Sequence, residues 1–465
     1  MTDGNRGGVK EMSMELYGSV ESPETVRDRL RAGEFPVAVY GLGKMGLPLA
    51  GAFAELTGAV TGVDVDPEVV STVNDGVSHV QGEPGLPELV RSQVETDRLE
   101  ATTDGPRAAS QSTIHVVIVP TLLDEASNPD LSIVESVCRD IAKGLNAGDL
   151  VIAESTLPPG TCRDVLYPTL CAESGLEPGA FGLAFCPERT SSGRALRDIR
   201  GAYPKVVGGV DDESGFAAAT IYDELTSNEV HVVSDTTTAE AVKVFEGIYR
   251  DVNIALANEL ATVADELDVS VREAIQTANY LPMCDIHRPG PGVGGHCIPF
   301  YPHFLLSQVD RPLPLTHTAR NVNVEMPSYT VSLLSSILEE NDVRLEDAAV
   351  LVLGFTYRSG IEEMRASPAI DVVETLHEAG STVFGIDPLV DPSAYGARSL
   401  DIDDLPDHTF DAAILVTAHE EFDSIPWNDM DPMLVLDGRD ALDLGETHHR
   451  TYVLGGPTKA GPTIY

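Results

Sequence analysis

Apolar and polar positions alternate along this chain in blocks that read as strands and helices in turn. The first 33 or so residues are mostly polar, with a short helix predicted in SPETVRDRLRAG. The first strong strand is PVAVY, ending at Tyr40, and it runs directly into GLGKMG. A helix of small residues, LPLAGAFAELTG, and a second strand, AVTGVDVD, follow. Further apolar runs stand at 115–120 (HVVIVP), 150–155 (LVIAES), 205–210 (KVVGGV) and 229–235 (EVHVVSD). Strands alternating with helical stretches predict a parallel, doubly wound sheet.

From Thr237 to Leu267 the period changes. Val242, Phe245, Tyr249, Val252, Leu256, Leu260, Val263 and Leu267 recur at helical spacing, and Thr237 with Glu240 has the spacing of a capping box. One long helix is expected, suited to linking two domains or pairing two subunits. A second α/β series starts at Ala348: AAVLVLGF, the helix SPAIDVVETLHEAG, then TVFGIDP, FDAAILVTA and MLVLDG as strands. The expected fold is α/β, two Rossmann-like doubly wound domains joined by a long central helix. The expected division is a polar extension (1–33), a first Rossmann domain (34–235), a central helical segment (236–330) and a second Rossmann-like domain (331–465).

Composition then narrows the classes. The 465 residues carry 74 Asp+Glu against 30 Lys+Arg, a formal net charge of -44. Such a surface repels nucleic acid and anionic lipid, which are bound by clustered cations. The acid is spread along the whole chain, as in an adaptation to concentrated salt, where a Debye length of about 3 Å screens self-repulsion. Six cysteines without a CxxC pair give neither a disulfide scaffold nor a zinc-ribbon spacing, so no metal is expected. No apolar run approaches the roughly 18 residues of a membrane span, and the N-terminus lacks an apolar signal core. A cytoplasmic protein with reduced thiols is expected.

GLGKMG sits where a dinucleotide needs it. Gly41, Gly43 and Gly46, with Met45 between them, follow a strand and open a helix, and Asp64 ends the next strand. Glycines there let the backbone approach a pyrophosphate at a helix N-terminus, and the acidic residue accepts from the ribose diol. A 2′-phosphate would be repelled by Asp64, so NAD is expected over NADP. Thr121 in VPTL and Thr156 in ESTLPPGT close later strands, at the edge where ligands bind in open α/β sheets. Either threonine alone also fits a plain strand-end cap.

The segment RPGPGVGGHCIP (288–299) holds Cys297 among four glycines. A lone cysteine is more often a small core residue than a nucleophile. Its surroundings change that weighting. GLGKMG, VPTLLD, STLPPGT, CPERTSSGRAL, EAVKVFEGIYRDVNIALANEL, GPGVGGHC and GFTYRSGIEEMRASPAIDVVETL occur in the order seen in the UDP-glucose/GDP-mannose dehydrogenase family, which the chain resembles from about residue 35 to 450. YRDVNIALANEL and PGPGVGGHC most resemble the members acting on UDP-N-acetyl-D-mannosamine.

The resemblance implies two successive NAD-dependent oxidations at the sugar C6, alcohol to acid, on a UDP-sugar and in a homodimer. It implies Cys297 as the nucleophile that traps the aldehyde, Lys243 as the oxyanion stabiliser and Glu188 as the base for hydrolysis. Arg189, Thr190, Lys243, Arg250 and Gly294 match sugar-contacting positions. Tyr357 and Arg358 fall where the family meets UDP, and Arg365 near the cofactor. Arginine forks suit a diphosphate. Four positions depart from the family: Gly247 replaces an asparagine, Tyr301 an aspartate, and Leu281 and Met283 a histidine and an arginine of the acetylmannosamine subgroup. UDP-GlcNAc, UDP-glucose, or binding without full turnover are therefore the alternatives.

Overall fold

The computed structural model describes residues 15–444 and 447–456. Residues 1–14 of the expected extension and 457–465 of the expected last domain lie outside the described residues. The chain divides into two compact units, one up to Val244 and one from Phe245.

In the first unit, Leu16 and Tyr17 are buried, and both N–H groups donate to the Gly148 carbonyl. Helix α1 (Pro23–Arg31) is capped by the Ser22 hydroxyl and buries Val26 and Leu30. Strand β1 (Val37–Tyr40), helix α2 (Gly46–Thr57) and strand β2 (Val60–Val63) follow as the sequence predicts. The strands continue with β3 (Leu99–Thr102), β4 (Ile114–Val117), β5 (Leu150–Ala153), β6 (Gly182–Phe185) and β7 (Lys205–Gly209). Helix α3 (Asp212–Leu225) and strand β8 (Val230–Val232) complete the series. The sheet order is β8-β7-β6-β5-β4-β1-β2-β3, with parallel pairs except β6–β7. Its central strands are buried on both faces, as parallel strands covered by helices must be. The order reverses between β1 and β4, which puts a binding crevice beyond their C-terminal ends.

Helix α4 (Thr236–Thr262) is the long helix. Its start differs from the expected capping box: the Asp235 carboxylate accepts from Thr238 N at 2.7 Å, and Glu240 turns to another segment. Its end comes earlier: Val263 leaves helical geometry (φ -101°) and a separate turn, Ala264–Leu267, follows. Its apolar residues are divided: Val244 is buried and Val242 and Leu260 pack against core clusters, but three of the bulkiest face outward. Phe245, Tyr249 and Leu256 are exposed, while Lys243, Gly247, Asp251, Ala257 and Asn258 are buried.

The second unit contains α5 (Tyr301–Leu306), α6 (Pro314–Glu339), β9 (Ala349–Leu353), α7 (Pro368–Glu378), β10 (Thr382–Ile386), β11 (Arg398–Ser399), β12 (Ala412–Leu415), β13 (Leu434–Asp437) and β14 (Arg450–Val453). Its sheet, β11-β10-β9-β12-β13-β14, is wholly parallel. The switch point lies between β9 and β12. Among the described residues no helix is long and apolar enough to cross a membrane.

Candidate active site

In the first unit the turn after β1 requires its glycines. Gly41 has φ +97°, and a Cβ there would lie 2.7 Å from the Ile118 carbonyl oxygen. A Cβ on Gly46 would strike the Gly41 carbonyl, so the chain turns directly from strand into α2. Gly43 has open space beside it and Met45 immediately precedes α2. Asp64, at the end of β2, accepts from Leu42 N at 2.8 Å and Asp66 N at 3.0 Å. The carboxylate is thereby fixed at the rim of the turn. The Thr121 hydroxyl is buried there with no hydrogen-bond partner. These features fit a dinucleotide: a cradle that a Cβ would fill, an acidic rim and an orphaned hydroxyl.

The segment carrying Thr156 is anchored on both sides. The Ser155 hydroxyl donates to the Val119 carbonyl at 2.7 Å and accepts from Val119 N at 2.9 Å, tying together the ends of β4 and β5. Glu240, fully buried on α4, accepts from Gly160 N at 2.5 Å and Cys162 N at 2.7 Å. It thus caps the helical run that starts at Cys162. Burial pushes its carboxyl up to about 7 despite those donors.

Glu188, Arg189 and Thr190 lie together on the loop after β6. Glu188 N donates to the Glu154 carbonyl at 3.3 Å, and the Glu188 carboxylate accepts from Thr190 N. Arg189 donates to the Pro204 carbonyl at 2.7 Å. The Thr190 hydroxyl reaches Met45 Sδ at 2.9 Å, which joins this loop to the glycine turn. Lys243 Nζ donates to the Glu188 carbonyl and stands 3.8 Å from its carboxylate. A cavity of about 40 Å³ lies behind this loop, lined in part by Met45, Glu154, Glu188, Thr190, Lys205 and Tyr222. Lys205 pairs with Glu154 at 2.7 Å and sits 4.3 Å from the Tyr222 ring centre.

In the second unit the glycine-rich loop is laid onto the residues that follow β9. A Cβ on Gly294 would meet Tyr357 Cβ at 2.7 Å, and one on Gly295 (φ +81°) would meet Tyr357 Cε2 at 2.9 Å. Gly295 N donates to the Arg365 carbonyl at 2.9 Å. Gly294, Tyr357 and Arg365 are therefore together, and Cys297 is the exposed cysteine of the six. Burial raises the Tyr357 hydroxyl pKa, with Cys297 adding to the effect. Arg358 and Arg250 are exposed. So are Leu281 and Met283, which stand 51% and 86% open to solvent.

Three partly buried residues here were not picked out by the sequence motifs. Arg272 donates to the carbonyls of Pro289 (3.1 Å), Gly438 (3.1 Å) and Leu454 (2.7 Å). Arg439 donates to those of Val416 (2.7 Å) and Gly292 (3.3 Å). Together they pin the start of the cysteine loop to the ends of β12 and β13. Burial, then the neighbouring Arg272, push the Arg439 guanidinium down to about 10. Asp387, after β10, accepts from Phe355 N at 2.6 Å, Thr356 N at 2.9 Å and Leu389 N at 2.8 Å. It occupies the place in the second sheet that Asp64 holds in the first. The repeated pattern of a strand, a glycine, a second strand and an aspartate (GFTY…GIDP against GLGK…GVDVD) is the signal that could have found it.

Residues 35–226 match the NAD binding domain of the UDP-glucose/GDP-mannose dehydrogenase family, 237–325 its central domain and 351–444 its UDP binding domain. A UDP-N-acetyl-D-mannosamine dehydrogenase of Pyrococcus horikoshii is 35% identical over 412 residues, covering 87% of this chain and 96% of the relative. An NDP-N-acetyl-D-galactosaminuronic acid dehydrogenase of Ralstonia nicotianae is 33% identical over 417 residues, 87% of this chain and 95% of the relative. The solved structure of the Pyrococcus horikoshii UDP-D-ManNAc dehydrogenase superposes with a TM-score of 0.83 at 34% identity, covering 90% of this chain and 99% of that one.

Proposed function

The chain belongs to the UDP-glucose/GDP-mannose dehydrogenase family, and from that membership we propose that it oxidises C6 of UDP-N-acetyl-D-mannosamine from alcohol to acid. It is an NAD-dependent nucleotide-sugar dehydrogenase, and a UDP-sugar is its substrate. The acetylated mannosamine is supported by the names of the relatives, and the cysteine mechanism by one observation: Cys297 is the exposed thiol, on a loop fitted closely around Tyr357.

The turn at Gly41, Gly43, Met45 and Gly46 with Asp64, Thr121 and Thr156 would hold NAD, which when bound would supply the hydride acceptor for both oxidations. The first oxidation leaves an aldehyde at C6. Cys297 Sγ adds to it as thiolate, forming a C–S bond and a thiohemiacetal whose oxyanion Lys243 stabilises. The second oxidation removes the remaining C6 hydrogen as hydride and leaves a thioester. Glu188 takes a proton from water, the hydroxyl adds to the thioester carbon, and the C–S bond breaks to release acid and thiolate. Arg189, Thr190, Arg250 and Gly294 are assigned to the sugar, Tyr357 and Arg358 to the UDP, and Arg365 to the cofactor side.

The exposed aromatic face of α4, with Phe245 55%, Tyr249 52% and Leu256 45% open to solvent, supports a second copy of the chain as its cover. Free thiols at all six cysteines fit a reducing compartment such as the cytoplasm.

The test is NADH formation with UDP-N-acetylmannosamine, UDP-GlcNAc, UDP-N-acetylgalactosamine and UDP-glucose, counted per sugar consumed. Two NADH per UDP-N-acetylmannosamine, with an adduct on the Cys297 peptide of quenched enzyme, is expected. Preference for another sugar by a factor of ten would overturn the substrate. Full acid production by Cys297→Ser would overturn the covalent mechanism, because a serine hydroxyl is a far weaker nucleophile than a thiolate at neutral pH.

A further inference from the structure

Gly247 lies in the interior of α4 and is buried. Glycine in a helix interior costs about 1 kcal/mol relative to alanine, so something must offset it. The offset is the ring of Tyr301. A Cβ at position 247 would come within 2.7 Å of Tyr301 Cγ and 2.8 Å of Tyr301 Cβ. Any side chain there would overlap the ring, so the glycine opens a slot in α4 and the tyrosine fills it. Tyr301 is 7% exposed, which removes most of a large aromatic surface from water.

The same residue also closes the turn that carries the thiol. Tyr301 is the first residue of α5, and its N–H donates to the Cys297 carbonyl at 3.0 Å. Phe300 N donates to that same carbonyl at 3.1 Å. On the other side of Cys297 the loop is held by Arg365 through Gly295 N, and further back by Arg439 and Arg272. The ring of Tyr301 is thus the anchor on the C-terminal side of the cysteine.

We infer that Tyr301 is a positioning residue for Cys297, its ring seated in the slot that Gly247 opens in α4 and its backbone fixing the turn from which the thiol is presented. The inference rests on the reading of Cys297 as the reacting thiol. Its physical content is a coupling between two side-chain positions. Emptying the slot by removing the ring frees the turn. Filling the slot with a side chain displaces the ring and shifts the turn. A change at both positions removes the conflict, so the two effects are not independent.

The experiment uses the full chain and two readouts. One is the rate of Cys297 alkylation by iodoacetamide, followed on its peptide by mass spectrometry without substrate. The other is kcat and KM for NAD and for the UDP-sugar. Tyr301→Phe, which keeps the ring, is expected to stay within twofold of wild type in both. Tyr301→Ala and Gly247→Ala are each expected to lower kcat at least tenfold with KM for NAD unchanged, and to alter the labelling rate at least threefold. The double variant should lose less than the product of the two single losses. Wild-type kcat and labelling in folded Tyr301→Ala, or losses that simply multiply, would overturn the inference. Should Gly247→Ala fail to fold, the comparison of Tyr301→Ala with Tyr301→Phe decides alone. Failure of the functional reading looks different: Cys297→Ala would keep turnover while the Tyr301 variants still altered labelling.

Discussion

Lys243 and Glu188 are joined twice, once through the lysine Nζ and the glutamate's backbone carbonyl, and once at 3.8 Å across their charges. The carbonyl bond fixes where the ammonium stands. The longer charge contact leaves the carboxylate oriented by Thr190 N instead of consumed by the lysine.

Separate roles for that pair predict separate kinetics. Lys243→Ala should lower kcat by about 10²- to 10³-fold, the usual cost of removing one oxyanion donor. Glu188→Gln should release two NADH per active site in a burst and then stall, because both hydrides leave before water is needed. Rapid-mixing absorbance measures the burst, and a steady rate near wild type would remove Glu188 from the hydrolytic step.

At the cofactor turn, Asp64→Ala should raise KM for NAD by about tenfold with a smaller effect on kcat, since a ribose contact contributes mostly to uniform binding. The preference for NAD over NADP should narrow in the same variant. Equal kcat/KM for the two cofactors in wild type would contradict the role given to Asp64.

Asp387 gives an acid limb. Burial alone would raise its pKa, but the His419 ring and the N–H groups of Thr356, Leu389 and Phe355 outweigh burial and hold it at about 2. A depressed carboxyl stabilises the fold above its unfolded pKa near 3.8 and loses that contribution as pH falls toward 2. Wild type should exceed Asp387→Asn by about 2 kcal/mol at pH 6, and the gap should close toward pH 2 in urea titrations.

Glu240 has the opposite sign. Its folded pKa is raised to about 7, so ionising it costs stability as pH climbs from 4.5 to 7. Glu240→Gln should therefore gain on wild type between pH 5 and pH 8, by up to about 3 kcal/mol before any loss from the amide's poorer fit to two N–H donors. A Tm difference independent of pH would show that the carboxyl ionises normally.

The surface charge gives a fifth expectation. With a net charge of -44, Tm should rise when KCl is increased from 0.1 M to 2 M, as screening shortens from about 10 Å to below 3 Å. A flat or falling curve would separate the acidic composition from salt adaptation.

What the sequence revealed was what local chemistry determines. The turn after β1 follows from glycines whose Cβ atoms would strike Ile118 and Gly41, and that conflict is written within one strand–turn–helix. Glu240 was read as part of its own helix cap because its true partners, Gly160 and Cys162, lie about eighty residues away. Strands β3 (LEAT) and β6 (GLAF) escaped because alanine, glycine and glutamate carry little strand propensity, and the surrounding sheet imposes their conformation. Helix α6 was hidden by its internal Pro327. On α4 the helical period was legible but the buried side was not, since its core face mixes Val244 with polar or small residues while Phe245, Tyr249 and Leu256 face outward.

Gly247 and Tyr301 also constrain how such a chain can change over generations. Replacing the glycine first leaves no room for the ring already there, whereas replacing the tyrosine first leaves only an unfilled slot. A lineage moving by single substitutions toward this pair passes through the glycine before the tyrosine, and one leaving it gives up the tyrosine first. The two positions therefore admit one order of single changes in either direction, with the glycine present whenever the tyrosine is.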